Sequence, residues 1–395
     1  MLAGLTALEL FGAFGAAVTI FGGGVTLGQK LCRWSADKDG RSSQDRLNAA
    51  EKEAKDLKDV LQGVRSLLDD KTDIWLRSPP DQSKHLSEIR SSIPIITVCN
   101  FKGGVGKTTL TSLLAGYFDV HRGKRVLLVD FDYQGSLTDT LIASLDIPDL
   151  EASAIRLLQS GREPEDVVAH AYPMQPALRN TRLFSCFYGF NRVENATMMR
   201  WIAEGAEARY LTHATLSSKH VQEAFDIVII DAPPRLSTAT VNAFCASTHV
   251  LLPTILDSMS TQAALNTLAV VNQFRRTLNP GIEVLGLVPT MVNQIDFNDR
   301  EREHLERMIA RMPEYWPQSP MPHVFRDQRI CRREAITKAL GHQLAFSSSD
   351  EVKRMAIALG EALEERLFVN EGEGSREAPA GVGNVSSIGN GRRRA

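Results

Sequence analysis

Cysteine is scarce in this 395-residue chain. The five, Cys32, Cys99, Cys186, Cys245 and Cys331, are scattered and form no C-x-x-C. They read as free thiols of a reducing compartment, which argues against a zinc or iron–sulfur site. An excess of charge is missing as well. The 45 Lys and Arg stand against 47 Asp and Glu, a formal net charge of −2. No global basic field therefore calls for nucleic acid, although a local basic patch stays open. At 43% hydrophobic and 23% charged residues, the composition is ordinary for a globular protein. The length suits one large α/β domain with additions.

Charge is also missing locally. From Leu10 to Leu27 no residue is charged, and Glu9 is the only ionisable side chain between Leu2 and Lys30. As a helix this stretch would span about 27 Å, close to a bilayer core. No Lys or Arg precedes it, whereas Lys30, Arg33, Lys38 and Arg41 follow. The positive-inside rule then places the N-terminus outside and the remainder in the cytoplasm, and the missing basic start argues against a secretory signal. Residues 1–34 are thus expected to be a single-pass anchor, holding the chain at the cytoplasmic face of the inner membrane. A helix buried on the protein or lying on the membrane surface is the alternative, and Gly22, Gly23 and Gly24 weaken any free helix.

Residues 35–92 read as an amphipathic helix and a linker. Leu47, Ala50, Ala54, Leu57, Leu61, Val64 and Leu68 step by three and four, an a/d seam interrupted by Gly63. A helix packed on the domain and a short dimeric coiled coil both satisfy it. Arg77 to Ser92, with Pro79-Pro80 and several serines, is linker-like. From Ile93 the pattern changes to short apolar runs: Ile95–Cys99, Val126–Val129, Ile227–Ile230, Val250–Leu252 and Val284–Val288. Continuous apolar runs indicate strands buried on both faces, and the helical stretches between them imply a mostly parallel, doubly wound α/β sheet. This domain is expected over 93–369, closing with a helix from about Ser349 to Phe368. The tail, 370–395, is rich in Gly, Ser and Ala and ends in Arg392-Arg393-Arg394; it is expected to be disordered.

The first strand leads into Asn100–Thr109, NFKGGVGKTT. A plain phosphate loop would carry glycine at position 101; Phe101 stands there, and Lys102 adds a cation inside the loop. Gly103, Gly104 and Gly106 let backbone N–H groups turn inward around phosphates, and the helix starting near Lys107 adds its positive end. Lys107 is placed for the β- and γ-phosphates, the Thr108 hydroxyl for Mg²⁺, and Thr109 for the α-phosphate. Three carboxylates follow buried strands: Asp130 and Asp132 after the second, Asp231 after the third. In parallel sheets such strand ends face the ligand crevice, where one carboxylate can hold Mg²⁺ and another can orient the attacking water.

KGGVGKTT, VLLVDFDYQGSLT and FDIVIIDAPP, in that order, resemble the ParA/MinD group of P-loop ATPases with a deviant Walker A motif. The resemblance covers roughly residues 93–368 and implies a P-loop NTPase fold that uses ATP and Mg²⁺. It implies that Gly103, Gly104, Val105, Gly106, Lys107, Thr108 and Thr109 cradle the phosphates, with Lys107 as the Walker lysine. Asp132 would polarise the attacking water, and Asp231 is the Walker B aspartate. Thr108, Asp132 and Asp231 make up the metal side of the site, and Asn293 would contact adenine. Lys102 would reach across a nucleotide-sandwich homodimer to the partner's phosphates, as an arginine finger does, so that ATP becomes part of the dimer interface. Lys102, Lys107 and Asp132 are the candidate catalytic residues.

The implied function is a membrane-attached, ATP-dependent dimerising switch that positions or partitions a cargo, DNA or a membrane assembly. Hydrolysis would be slow alone and stimulated by a protein partner. The sequence departs from the family pattern at Tyr133, where proline is usual, and at Ser136, where asparagine is, so the switch loop is expected to move differently. Arg235 follows Pro233-Pro234, where a small residue is common; it would meet a phosphate, cross the dimer, or be a surface charge. Arg326, Arg329, Arg332 and Arg333, after the strand expected sixth, are either a phosphate-contacting nucleic-acid patch or a solvated face. Two other readings are a bacterial tyrosine-kinase-like membrane protein and an ATP-binding scaffold with negligible turnover. The former is disfavoured because the last tyrosine is Tyr315 and Lys102 is present.

Overall fold

The computed structural model describes residues 74–77, 91–145, 150–293, 296–332, 334–339 and 344–368, with single helical positions between 48 and 58. The chain divides into two units, Met1–Lys71 with Ile202–Gly205 and Thr72–Trp201 with Ala206–Ala395. In the first, Asn48, Glu51, Lys52, Ala54, Lys55 and Lys58 are helical and exposed. Ala54 is the one position of the a/d seam described; the others lie outside the described residues, as does the expected tail, 370–395. The second unit holds the sheet and the candidate site.

The apolar runs form strands because both of their faces are covered. The strands are β1 (Ile95–Val98), β2 (Val126–Asp130), β3 (Tyr172–Pro173), β4 (Thr181–Phe184), β5 (Ile227–Asp231), β6 (His249–Thr254), β7 (Glu283–Val292) and β8 (Ile330–Cys331). Every residue of β1, β2 and β5 is buried. They make one eight-stranded sheet in the order β3-β4-β2-β5-β1-β6-β7-β8, parallel throughout except for the β3–β4 pair. The five runs seen in the sequence are β1, β2, β5, β6 and β7. The others were too short to announce themselves. β4 is four residues with an exposed Arg182, and β3 and β8 are two residues each. β8 also falls inside the arginine cluster rather than before it: Arg326 and Arg329 precede it and Arg332 follows.

Helices that bear on the site are α1 (Lys107–Gly116), α2 (Ser136–Leu145), α3 (Phe190–Glu204), α4 (Thr238–Ala246), α5 (Ser258–Thr277), α6 (Asp299–Tyr315) and α7 (Asp350–Phe368). Alternate strand residues feed opposite layers, as the period of two requires. Ile96, Val98, Val126 and Leu128 pack with Leu110, Leu113 and Leu114 of α1 and Leu359 and Leu363 of α7. Ile95, Leu127 and Val129 point the other way, toward Phe190 and Ala239. The α1–α7 layer is tight: a Cβ on Gly360 would lie 2.3 Å from the Tyr117 ring.

Residues 74–77, within the stretch read as helix and linker, pack against this domain. Trp75 is buried and stacks on Trp201 at 5.4 Å. Arg209, itself buried, donates to the carbonyls of Trp75 and Arg77, pairs with Glu207 at 2.6 Å, and lies 4.9 Å over the Trp201 ring.

The membrane localisation is corrected. The expected anchor, residues 1–34, lies outside the described residues. Among the described residues no helix is long and apolar enough to cross a membrane. A span needs about 20 predominantly apolar residues. α5, with 20, ends in Arg275 and Arg276 and buries one face on the sheet. The single-pass placement at the inner membrane is therefore set aside.

His249, which opens β6, makes a 2.8 Å contact with Thr248 Oγ1. Burial pulls its imidazole down to about 4. The folded chain keeps it neutral where the unfolded chain binds a proton, so its contribution is present above about pH 6.5 and is lost as pH falls toward 4. His249→Gln is expected to remove about 2 kcal/mol of acid-side destabilisation. Urea denaturation at pH 4.5 and pH 7 measures it, and an unchanged pH slope would count against this account.

Candidate nucleotide site

The loop between β1 and α1 is fixed at its base and open at its crown. Cys99 N donates to Leu251 O at 3.0 Å. Buried Asn100 donates from Nδ2 to Pro253 O at 2.8 Å and accepts Lys102 N at 3.0 Å. Phe101 N donates to Thr267 Oγ1 of α5 at 3.1 Å. From the other side, Thr290 Oγ1 of β7 donates to Val105 O at 2.7 Å. The next residue, Met291, is held at φ 54°, a strained value for a non-glycine residue. Gly104 and Gly106 sit at φ 72° and 86°, where a Cβ is penalised. Gly103 and Gly104 are exposed, and among the described residues no heavy atom lies within 4 Å of where their Cβ would be. The crown is thus a cradle of backbone with room for phosphate.

Lys107, at 7% exposure, folds over the loop and donates from Nζ to Lys102 O at 3.2 Å. Thr108 Oγ1 donates to Asp231 Oδ2 at 2.7 Å. The two meet because β1 and β5 pair in parallel with Val98 opposite Asp231. Asp231 is buried, and its Oδ1 has no hydrogen-bond partner among the described residues. Burial, reinforced by the charge of Asp132 and opposed by Thr108 and Lys107, leaves its carboxyl pushed up to about 7. A divalent cation between Thr108 and Asp231 would give that oxygen the partner it lacks, so this donor set fits Mg²⁺. Thr109 lies half-buried in the first turn of α1.

The two carboxylates after β2 differ. Asp130 is fully buried: Oδ1 accepts Asp132 N at 3.1 Å, and Oδ2 accepts Thr138 N at 2.9 Å and Thr138 Oγ1 at 2.8 Å. It staples the loop to α2, and burial and Asp231 hold its carboxyl well above the usual range. Asp132 is partly exposed, and Gln134 N donates to its Oδ1 at 3.1 Å. Gly135, at φ 65°, closes the loop where a Cβ would come within 2.6 Å of Cys186 O. Asp132 is the carboxylate free to act.

Lys102 pairs within its own subunit. Nζ lies 2.7 Å from Ser260 Oγ and 3.4 Å from Asp257 Oδ1. Asp257 also caps α5 by accepting Ser260 N at 2.8 Å. Its own burial raises the carboxyl, but the Ser260 hydroxyl and amide and Lys102 outweigh this and hold it below the usual value. Asp257, Ser260, Thr267 and Thr290 were not expected from sequence. They carry no motif, and only the packing of α5 and β7 beside the loop brings them in.

Asn293 is exposed, with contacts of 3.4 and 3.5 Å from its backbone and side-chain nitrogens to Glu301 Oε1, at the outer limit of hydrogen bonding. Glu301 mainly completes the capping box of α6 with Asn298. Of the arginines, Arg326 pairs with Glu306 at 2.7 Å. Arg329 is 3.7 Å from Asp296 and 4.7 Å over the Phe297 ring. Arg332 is exposed and its amide donates to Val292 O, while Arg333 lies outside the described residues. Arg326 and Arg329 thus meet carboxylates of their own chain in solvent-screened surface pairs.

The family model described as AAA domain matches residues 93–284. The chain is 32% identical over 206 residues to the chromosome-partitioning ATPase Soj of Thermus thermophilus, covering 51% of this chain and 71% of that protein. The chain belongs to the ParA/MinD-type P-loop ATPases. Solved structures agree on the fold. An ATP complex of Cyanothece McdA superposes with a TM-score of 0.54 at 22% identity, over 70% of this chain and 98% of that one. A Mycobacterium smegmatis cobyrinic acid a,c-diamide synthase with ADP and magnesium gives 0.53 at 24%, over 71% and 96%. ATP and Mg²⁺, expected from the loop of this ParA/MinD-type ATPase, fit the donors at Thr108 and Asp231.

Proposed function

We propose that the chain is an ATP-dependent dimerising switch that positions or partitions a cargo and is reset by partner-stimulated hydrolysis. Gly103 to Thr109 hold the phosphates, Thr108 and Asp231 hold the cation, and Asp132 orients the attacking water. ATP supplies the transferable phosphoryl group, and Mg²⁺ offsets its charge. Lys107 would leave the Lys102 carbonyl to meet the phosphates, and a cation held by Thr108 and Asp231 would favour the ionised Asp231 carboxylate. Relatives named for chromosome partitioning support the cargo-positioning reading.

The observation that carries the dimer is the pairing of Lys102. Its side chain is 29% exposed and that of Asp257 44%, so the pair is solvent-screened and weak. A lysine parked there is readily exchanged for a more highly charged partner, such as the phosphates of a nucleotide on a second subunit. Lys102→Ala is expected to keep nucleotide affinity within about threefold, because Lys107 remains, and to lose the ATP-dependent increase in dimers. Light scattering on the full chain, with and without ATP, reads both states and removes any nucleotide-independent association. A variant that dimerises with ATP as the wild type does would end the trans-acting role.

A further inference from the structure

The loop carrying Asp132 is anchored through its backbone, Asp132 N donating to Asp130 Oδ1 at 3.1 Å and Asp132 O accepting Gly135 N at 2.7 Å, but not through the Asp132 carboxylate. Asp130 and Gly135 hold its two ends. Among the described residues the Asp132 carboxylate accepts a hydrogen bond only from Gln134 N, within the same loop. What reaches out of the loop is the next side chain. The Tyr133 ring lies 5.1 Å beneath the Arg235 guanidinium and 6.1 Å from the Tyr188 ring, edge to face.

Arg235 is itself oriented. Its Nη2 donates to Glu194 Oε2 at 2.6 Å, and its carbonyl accepts Thr240 Oγ1 at 2.6 Å. Glu194 is 2% exposed and also accepts Ala239 N at 3.1 Å. A buried carboxylate on α3 therefore fixes the guanidinium, and the guanidinium fixes the tyrosine face. Arg235 lies just beyond Asp231, so this stack ties the loop of the water-orienting carboxylate to the segment after the metal-side one. The same pairing offsets the charge of Arg235 within its own subunit.

We propose that Tyr133 and Arg235 are positioning residues for ATP hydrolysis, a stacked clasp that sets where Asp132 stands. The inference rests on the ATPase reading of Asp132. A tyrosine backbone lacks the fixed φ of proline, and the Arg235 stack adds a side-chain contact to the turn that Gly135 N closes on Asp132 O.

The test uses the full chain and steady-state hydrolysis of Mg-ATP. Tyr133→Leu keeps an apolar side chain but loses the π face; kcat is expected to fall about tenfold with KM within about twofold. Tyr133→Phe keeps the face and should stay within about twofold of wild type. Arg235→Lys keeps the charge opposite Glu194 but loses the planar stack, and should resemble Tyr133→Leu. The two changes together should be no worse than either alone, since they break one clasp. Amide hydrogen exchange across residues 131–135 should quicken in Tyr133→Leu. Wild-type kcat in Tyr133→Leu, or KM rising in proportion to the loss of kcat, would overturn the clasp. If the wild type does not hydrolyse ATP at all, it is the ATPase reading that fails. Exchange then decides the clasp alone: faster exchange in Tyr133→Leu supports it, and unchanged exchange sinks it.

Discussion

Lys107→Ala will abolish ATP binding. The ammonium is nearly buried and hangs over the loop from the first residue of α1, bonded among the described residues to the Lys102 carbonyl. Among the described residues Lys102, the other loop cation, points away to Asp257 and Ser260. Deleting Lys107 leaves a cradle of amides facing phosphate charge with no ammonium behind them. The expected loss is at least about a hundredfold in affinity, on the order of 3 kcal/mol. The fold should tolerate the change, since α1 is held by Leu110, Leu113 and Leu114 in the core. Calorimetric titration with Mg-ATP measures it, and affinity within a fewfold of wild type would remove the phosphate-loop assignment.

Asp132→Ala is expected to trap the ATP-bound dimer. Hydrolysis should slow by about two orders of magnitude or more, roughly 3 kcal/mol of transition-state stabilisation. Binding should survive, because the Asp132 side chain touches neither Lys107 nor Thr108 and the loop base is held by Asp130 and Thr138. Loss of its charge should also ease Asp231 toward ionisation, since Asp132 is one of the groups raising that carboxyl. Single-turnover hydrolysis alongside dimer lifetime reads both effects. Unchanged hydrolysis in a wild type that clearly turns over would move water orientation off this loop altogether. Asp130 cannot inherit it: its two oxygens already accept three hydrogen bonds and it has no exposed surface.

The phosphate loop and the strand-end carboxylates were legible because their signal is local. Glycines at 103, 104 and 106, a lysine at 107 and aspartates after buried strands are dictated by backbone conformation and charge over a few residues. What the same local view could not do was rank Asp130 against Asp132, because that depends on which carboxylate Thr138 of α2 meets. Nor could it show that Trp75 closes onto Trp201, since a lone apolar turn in a polar stretch has no periodicity to read. The arginine cluster was legible only as charge: a charge run in sequence does not reveal that Glu306 and Asp296 meet its first members.

By itself the sequence determined the parallel α/β class, the position of the nucleotide loop, and the family, because buried strands and a phosphate cradle each need particular residues in consecutive order. Tertiary structure alone decided the rest. Lys102 rests on Asp257 and Ser260 because α5 starts beside the loop, although the residues stand far apart in the chain. Asp132 stays free while Asp130 is walled in because α2 turns back over only one of them. Tyr133 meets Arg235 because β2 and β5 are sheet neighbours and deliver their loops to one edge. These contacts join residues remote in sequence, and the physical reason they escape the sequence is that a side chain's partner is set by the packing of whole elements, not by the residues beside it.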